Sequence, residues 1–266
     1  MRPLLCVLVF LVPAVQAQTD PGERVVESII PWLDSNLSCW SAVQLQNLGN
    51  REVAADVEAH KSTGALAPLV GHSGILVHLS AGEHAEYKLQ LPDGSTGAWV
   101  RVRETIPTPQ LSPVLAVSGV TECLSGSNEL RTTVREIASP TRNPWFSGDV
   151  SSSDATHSDD GIVALINTSE SPAQVSGCYS FGVLFSVPHD KHPAPALKPV
   201  CSETIRQMIP PFGSAQFPVA RDGNSHFSLT TQGDAIVLQM LRPAKSSVKV
   251  YQVDSTITFG KEVSDH

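Results

Sequence analysis

Basic residues are scarce in this 266-residue chain: 18 Lys and Arg stand against 26 Asp and Glu. Binding nucleic acid or an anionic membrane surface needs a basic patch, and here the cations are scattered singly, so neither is expected as a partner. Long hydrophobic runs are also missing beyond the first residues. A membrane-spanning helix needs about 20 apolar residues, and no later segment reaches that length. Cysteines are few, five in all, and none forms a C-x-x-C pair, which argues against a zinc ribbon or a thioredoxin-like redox site. No dinucleotide fingerprint or phosphate-cradling glycine loop is written. The stretch Gly71-His72-Ser73-Gly74 falls short of a G-x-S-x-G nucleophile elbow, because Ile75 holds the last place. No cofactor, no metal and no catalytic residue is therefore expected, and the chain does not read as an enzyme.

The first 17 residues have the layout of a secretory signal: Arg2, the apolar run LLCVLVFLV, then Val15-Gln16-Ala17 as a small-x-small cleavage site. The mature chain is expected from about residue 18, secreted or periplasmic, with no membrane insertion after cleavage. Losing Arg2 leaves 17 basic and 26 acidic residues, a net charge of −9. Four cysteines remain: Cys39, Cys123, Cys178 and Cys201. In an oxidising compartment an even count suggests two disulfides, and four cysteines allow three connectivities.

What is plentiful is punctuation. Twenty prolines and 18 glycines divide the chain, and short alternating runs such as VQLQ (43–46), VAADVE (53–58) and WVRVR (99–103) lie between turn signals. Strands of four to eight residues at such spacing indicate an all-β protein, a sandwich or barrel. The chain also repeats itself. LSAGEHAEYKLQLPDG (79–94) is echoed by IPPFGSAQFPVARDG (209–223), with Gly82 answering Gly213. SAVQLQN (41–47) answers GIVALIN (161–167), each strand ending at an Asn, Asn47 or Asn167. On this alignment RTTVREIASP (131–140) answers RVVESIIPW (24–32) as an opening strand. Two domains follow, 18–125 and 126–266, each of about seven strands, with the boundary in Leu124-Ser125-Gly126-Ser127.

Strand, Asn, polar turn and strand, then LSAGEHAEY or IPPFGSAQF leading into alternating residues, resembles the tandem immunoglobulin-like Greek-key modules of bacterial exported proteins. The chain is also similar to secreted bacterial proteins with no assigned activity. The resemblance implies two tandem immunoglobulin-like β-sandwich domains and an adhesion-type binding role toward a protein or glycan at the cell envelope. A structural spacer or accessory domain of an envelope complex is the alternative, and a metal-dependent or glycan-active enzyme with a loop-borne site is a third reading.

Pairing cysteines within each copy keeps each bridge inside one cooperative unit: Cys39–Cys123 and Cys178–Cys201. In the chain-entropy model the two loops are worth about 4.6 and about 3.4 kcal/mol. The second copy carries two longer loops, 143–161, rich in Ser and Asp, and 186–204, rich in Pro. The second is stiffened by its prolines, so His189, His192 and Lys198 are expected to be its binding contacts. Trp99 joins them as a partly exposed aromatic stacked with Arg101, whereas Trp40 and Trp145 are expected to pack inside. The histidines His60, His72, His78 and His84 are expected at the surface without converging on a metal. The carboxylates of the Ser/Asp-rich loop lack the spacing of a calcium loop.

Overall fold

A computed structural model describes residues 23–34, 39–69, 74–91, 97–107, 113–125, 128–135, 137–138, 145–150, 162–181, 201, 203–218, 225–231, 236–243 and 251–253. Among them there is no helix; the chain is all-β, in antiparallel sheets. Strands of 128–135 and earlier, with the two-residue strand after it, form one set of sheets, and strands from residue 145 onward form another.

The first set holds β1 (Glu23–Asp34), β2 (Cys39–Asn47), β3 (Val53–His60), β4 (Leu66–Ala67), β5 (Ile75–Leu79), β6 (His84–Lys88), β7 (Gly97–Pro107), β8 (Leu115–Ser125), β9 (Asn128–Arg135) and β10 (Ile137–Ala138). One sheet runs β10-β1-β7-β3-β4, with β5 also on β3; the other runs β6-β2-β8-β9. Alternation explains the packing. Val43 and Leu45 of β2, Val53 and Val57 of β3, and Val100 and Val102 of β7 point inward into one shared core with Ile30, Leu33, Val117 and Leu79. Their neighbours Gln46, Asp56, Arg101 and Arg103 stay on outer faces. Pro31 has no N–H to give the ladder, and the β1–β7 register shifts between Ile30 and Leu33, the kind of irregularity where a strand tolerates proline.

The second set holds β11 (Trp145–Val150), β12 (Ile162–Asn167), β13 (Ala173–Phe181), β14 (Glu203–Ile209), β15 (Ser214–Pro218), β16 (Ser225–Thr231), β17 (Ile236–Pro243) and β18 (Tyr251–Val253). Its sheets run β11-β16-β13-β14 and β15-β12-β17-β18. These are the positions of β1-β7-β3-β5 and β6-β2-β8-β9 in the first set. Leaving the two-residue β4 out of the count, the second strand of each set pairs with the fifth and the third with the sixth. The first strand pairs with the sixth, and the seventh with the second.

Two expectations are corrected. Arg131 and its neighbours do not open the second set: β9 forms a hairpin with β8, from Ser118↔Arg135 to Ser125↔Asn128, and β10 then crosses to β1. Leu124 and Ser125 close β8 opposite Glu129 and Asn128, and residues 126–127 lie outside the described residues. The strand in the opening place is β11, inside the segment read as an inserted loop. Its residues WFSGDV lack clear alternation, which is why the sequence hid it.

Both disulfides join neighbouring strands of a single sheet. Cys39 of β2 lies directly opposite Cys123 of β8 and is bonded to it. Cys178 of β13 is bonded to Cys201, just ahead of β14.

Candidate functional site

The residues with the most chemistry gather where the two sets of sheets meet. His60 ends β3 and faces Trp99 across the β3–β7 ladder; the next pair on the same face is Glu58 with Arg101, and the next Asp56 with Arg103. The His60 ring stacks on Trp99 at 4.7 Å between centroids with 18° between planes. It also stacks on Phe212 at 5.2 Å and 26°. The Trp99 Nε1–H donates to the Phe212 carbonyl at 2.9 Å, and the Arg101 guanidinium stands 4.9 Å over the Phe212 ring, a cation–π contact. Trp99, Ile29 and Ile166 are fully buried together beneath this stack.

Local sequence explains how Phe212 arrives there. It sits in the turn Pro210-Pro211-Phe212-Gly213, closed by the Gly213 N–H donating to the Pro210 carbonyl at 2.9 Å. The matching turn of the first set is Ser80-Ala81-Gly82-Glu83, closed at 3.0 Å in the same way. The third residue of each is left-handed, Gly82 at φ 75° and Phe212 at φ 52°. Gly82 therefore answers Phe212, not Gly213, and Tyr87 then answers Phe217 without a slip. A left-handed non-glycine residue costs about 1–2 kcal/mol; at Phe212 the ring meets His60 and Arg101 and the carbonyl accepts from the Trp99 indole.

A backbone seam supports the stack. Ser214 N–H donates to the Ser62 carbonyl at 3.0 Å. Gly64, at φ +86°, lies so close to Pro211 that an added Cβ would stand 1.9 Å from its carbonyl oxygen, so no other residue fits there.

Electrostatics bind the rows to one another. Glu58 accepts from Arg101 Nε at 3.1 Å, and its carboxylate lies 3.4 Å from Arg103 Nη2 and 3.6 Å from His60 Nε2. The His60 imidazole is the first cause holding the Glu58 carboxyl down, with Arg101 and Arg103 behind it and burial opposing; together they bring it from the ordinary 4.5 to about 2. At 3.6 Å the His60 contact is long for a hydrogen bond, so the direct Arg101 bond is the firmer of the two. His60 itself is only 3% exposed. Trp99 and Phe212 both stack on its ring, and the cluster is a clamp that ties the end of β3 and β7 to the turn at Phe212.

Beside the clamp lies a cleft of about 450 Å³, walled by Trp32, Ser62 and Thr63 from the first set and by Gln207, Pro210, Ser214, Ala215 and Gln216 from the second. No lining residue is charged. The Trp32 indole N–H is taken by Asp34 Oδ1 at 3.0 Å, so its ring edge serves as an apolar wall.

No protein-family model, curated protein or solved structure matches the chain.

Of the residues expected to bind, His189, His192 and Lys198 lie outside the described residues, as does most of the Pro-rich loop. Trp99 is corrected: it is fully buried, and it stacks on His60 while Arg101 covers Phe212 instead. The alternation of 99–103 rightly places Trp99 and Arg101 on one outer face, but a sequence window cannot reveal that the turn at Phe212 covers that face. Trp40 is half-buried on the outside of β2, under the Lys88 ammonium at 4.5 Å. His78 is exposed, with Nδ1 3.2 Å from Glu52, and His84 is exposed on β6; His72 lies outside the described residues. His60, expected at the surface, is buried. The signal for it was its place opposite Trp99 at a strand end, which only the register discloses. Among the described residues no three His, Cys, Asp or Glu side chains gather around a common point.

Proposed function

We propose that the chain is an exported, non-enzymatic binding module of two tandem immunoglobulin-like sandwiches that recognises a protein or glycan at the cell envelope. The observation that carries this reading is the cleft whose walls come from both sets of sheets, next to a clamp that holds those walls in place. A concave site prepared in advance spares the ordering that binding otherwise requires. The two disulfides support export, since such bonds persist in oxidising compartments. Among the described residues, His60 and Glu58 are engaged in ring stacking and ion pairing. A spacer in an envelope complex is the second reading, favoured by the same clamp.

The test is to immobilise the folded, disulfide-bonded chain, pass solubilised envelope fractions over it, and weigh what is retained by mass spectrometry. Saturable retention of one component, recovered with its mass unchanged, is expected. Retention of nothing points to a spacer, and a chemically altered component to an enzyme; either result would overturn the reading.

A further inference from the structure

We infer that the Cys178–Cys201 bond is a thiol-exchange site that an external dithiol opens, while Cys39–Cys123 is a permanent bond of the fold. The sheets place the two differently. Cys39 and Cys123 belong to β2 and β8, the two inner strands of the sheet β6-β2-β8-β9. By alternation they share the face that carries Val43, Leu45 and Val117 into the core, and they are 4% and 0% exposed. Cys201 stands just ahead of β14, the last strand in the order β11-β16-β13-β14, and is exposed; its partner Cys178 is half-buried. One bond is sealed inside a sandwich, and the other lies open at the edge of a sheet.

Exchange requires a thiolate to reach a disulfide sulfur, so access ranks the two bonds. One thiolate of the dithiol attacks Cys201 Sγ, the exposed sulfur; the S–S bond breaks, and Cys178 leaves as a thiolate that takes up a proton. The second thiolate of the dithiol then attacks the reagent's sulfur in the mixed disulfide. That releases Cys201 as a thiolate, which is protonated in turn, and closes the reagent's own disulfide. Two electrons and two protons have passed to the protein. The consequence is local. Among the described residues β14 pairs along one edge only, with β13, and the bond fastens its entry. Its far end has a separate anchor, because Asn167 Nδ2 donates to the carbonyls of Ile209 and Pro210 at 3.3 and 3.0 Å. Reduction therefore frees 203–206 and leaves 207–209 held. Exchange at this bond needs no ligand in the cleft, so it does not depend on the binding reading.

The experiment incubates the full, oxidised chain with graded dithiothreitol under native conditions, quenches by alkylation and maps the labelled cysteines by peptide mass. Cys178 and Cys201 are expected to be labelled about tenfold or more faster than Cys39 and Cys123. In concentrated urea, where the fold no longer shields either bond, the two should open at similar rates. With a monothiol, glutathione, in limited amount, the first adduct should sit on Cys201. Amide exchange of the selectively reduced chain should quicken about tenfold or more over 203–206 and stay slow over 207–209. The inference is overturned if the folded chain opens both bonds at one rate or Cys39–Cys123 first. It is equally overturned if the gap persists in urea, if glutathione lands first on Cys178, or if reduction leaves exchange over 203–206 unchanged.

Discussion

Two asparagines show how single residues fix the repeated corners. Asn47 is fully buried, and its Nδ2 donates to the carbonyls of Arg51, Leu79 and Ser80 at 2.6, 2.9 and 3.0 Å, while its Oδ1 accepts from Gly49 N–H. Asn167 does the same for Ser171, Ile209 and Pro210, accepting from Ser169 N–H. Each amide ties a turn to the end of a neighbouring strand, which is why both strands end on the same residue type. Asn47→Ala would leave buried carbonyls unpaired, at about 1–3 kcal/mol for each group stranded; a loss of about 3 kcal/mol in urea unfolding is expected, and Asn167→Ala should match it. A loss below about 0.5 kcal/mol would show that water takes over the amide's role. The paired Asn were legible in the sequence, but their function was not, because the carbonyls they hold come from about 30 to 40 residues downstream as well as from the adjacent turn.

At the scale of elements, periodicity was a good guide to inward and outward faces and a poor one to strand partners. β2, β3 and β7 could be read from their alternation. The identity of β9 as a hairpin partner of β8 could not, because Leu124-Ser125-Gly126-Ser127 reads as a linker and as a turn alike. β1 beside β7 was equally hidden: a ladder between the first and sixth strands of a set leaves no local trace. The cross-strand disulfides act on this level. Replacing Cys39 and Cys123 together by Ala should lower stability by up to about 4.6 kcal/mol, and replacing Cys178 and Cys201 by up to about 3.4 kcal/mol. Denaturant midpoints measured without reductant check the ranking; equal losses, or the reverse order, would show that native-state strain rather than loop length governs these bonds.

For the whole molecule, the junction makes two predictions. Glu58 is held to about 2 when folded against an ordinary 4.5. A depressed carboxyl stabilises the fold fully above the higher value, and that share is lost as pH falls through the lower one. The melting temperature is therefore expected to drop between about pH 4.5 and pH 2, and Glu58→Gln should flatten that segment while lowering stability at neutral pH. A parental slope in the variant would place the acid sensitivity elsewhere.

Phe212 closes the stack that joins the two sets, beside the Ser214–Ser62 seam and the Ile166–Ile29 contact, and calorimetric unfolding of the full chain at neutral pH tests its share most directly. The parent should unfold in one transition. Phe212→Ala keeps the turn but deletes the ring that closes over His60 and under Arg101, a change that costs about 3–5 kcal/mol for a buried aromatic and less here, where the ring is partly exposed. Two separate transitions are expected for the variant, one for each set. A Phe212→Ala trace with the parent's midpoint and single peak would contradict the clamp.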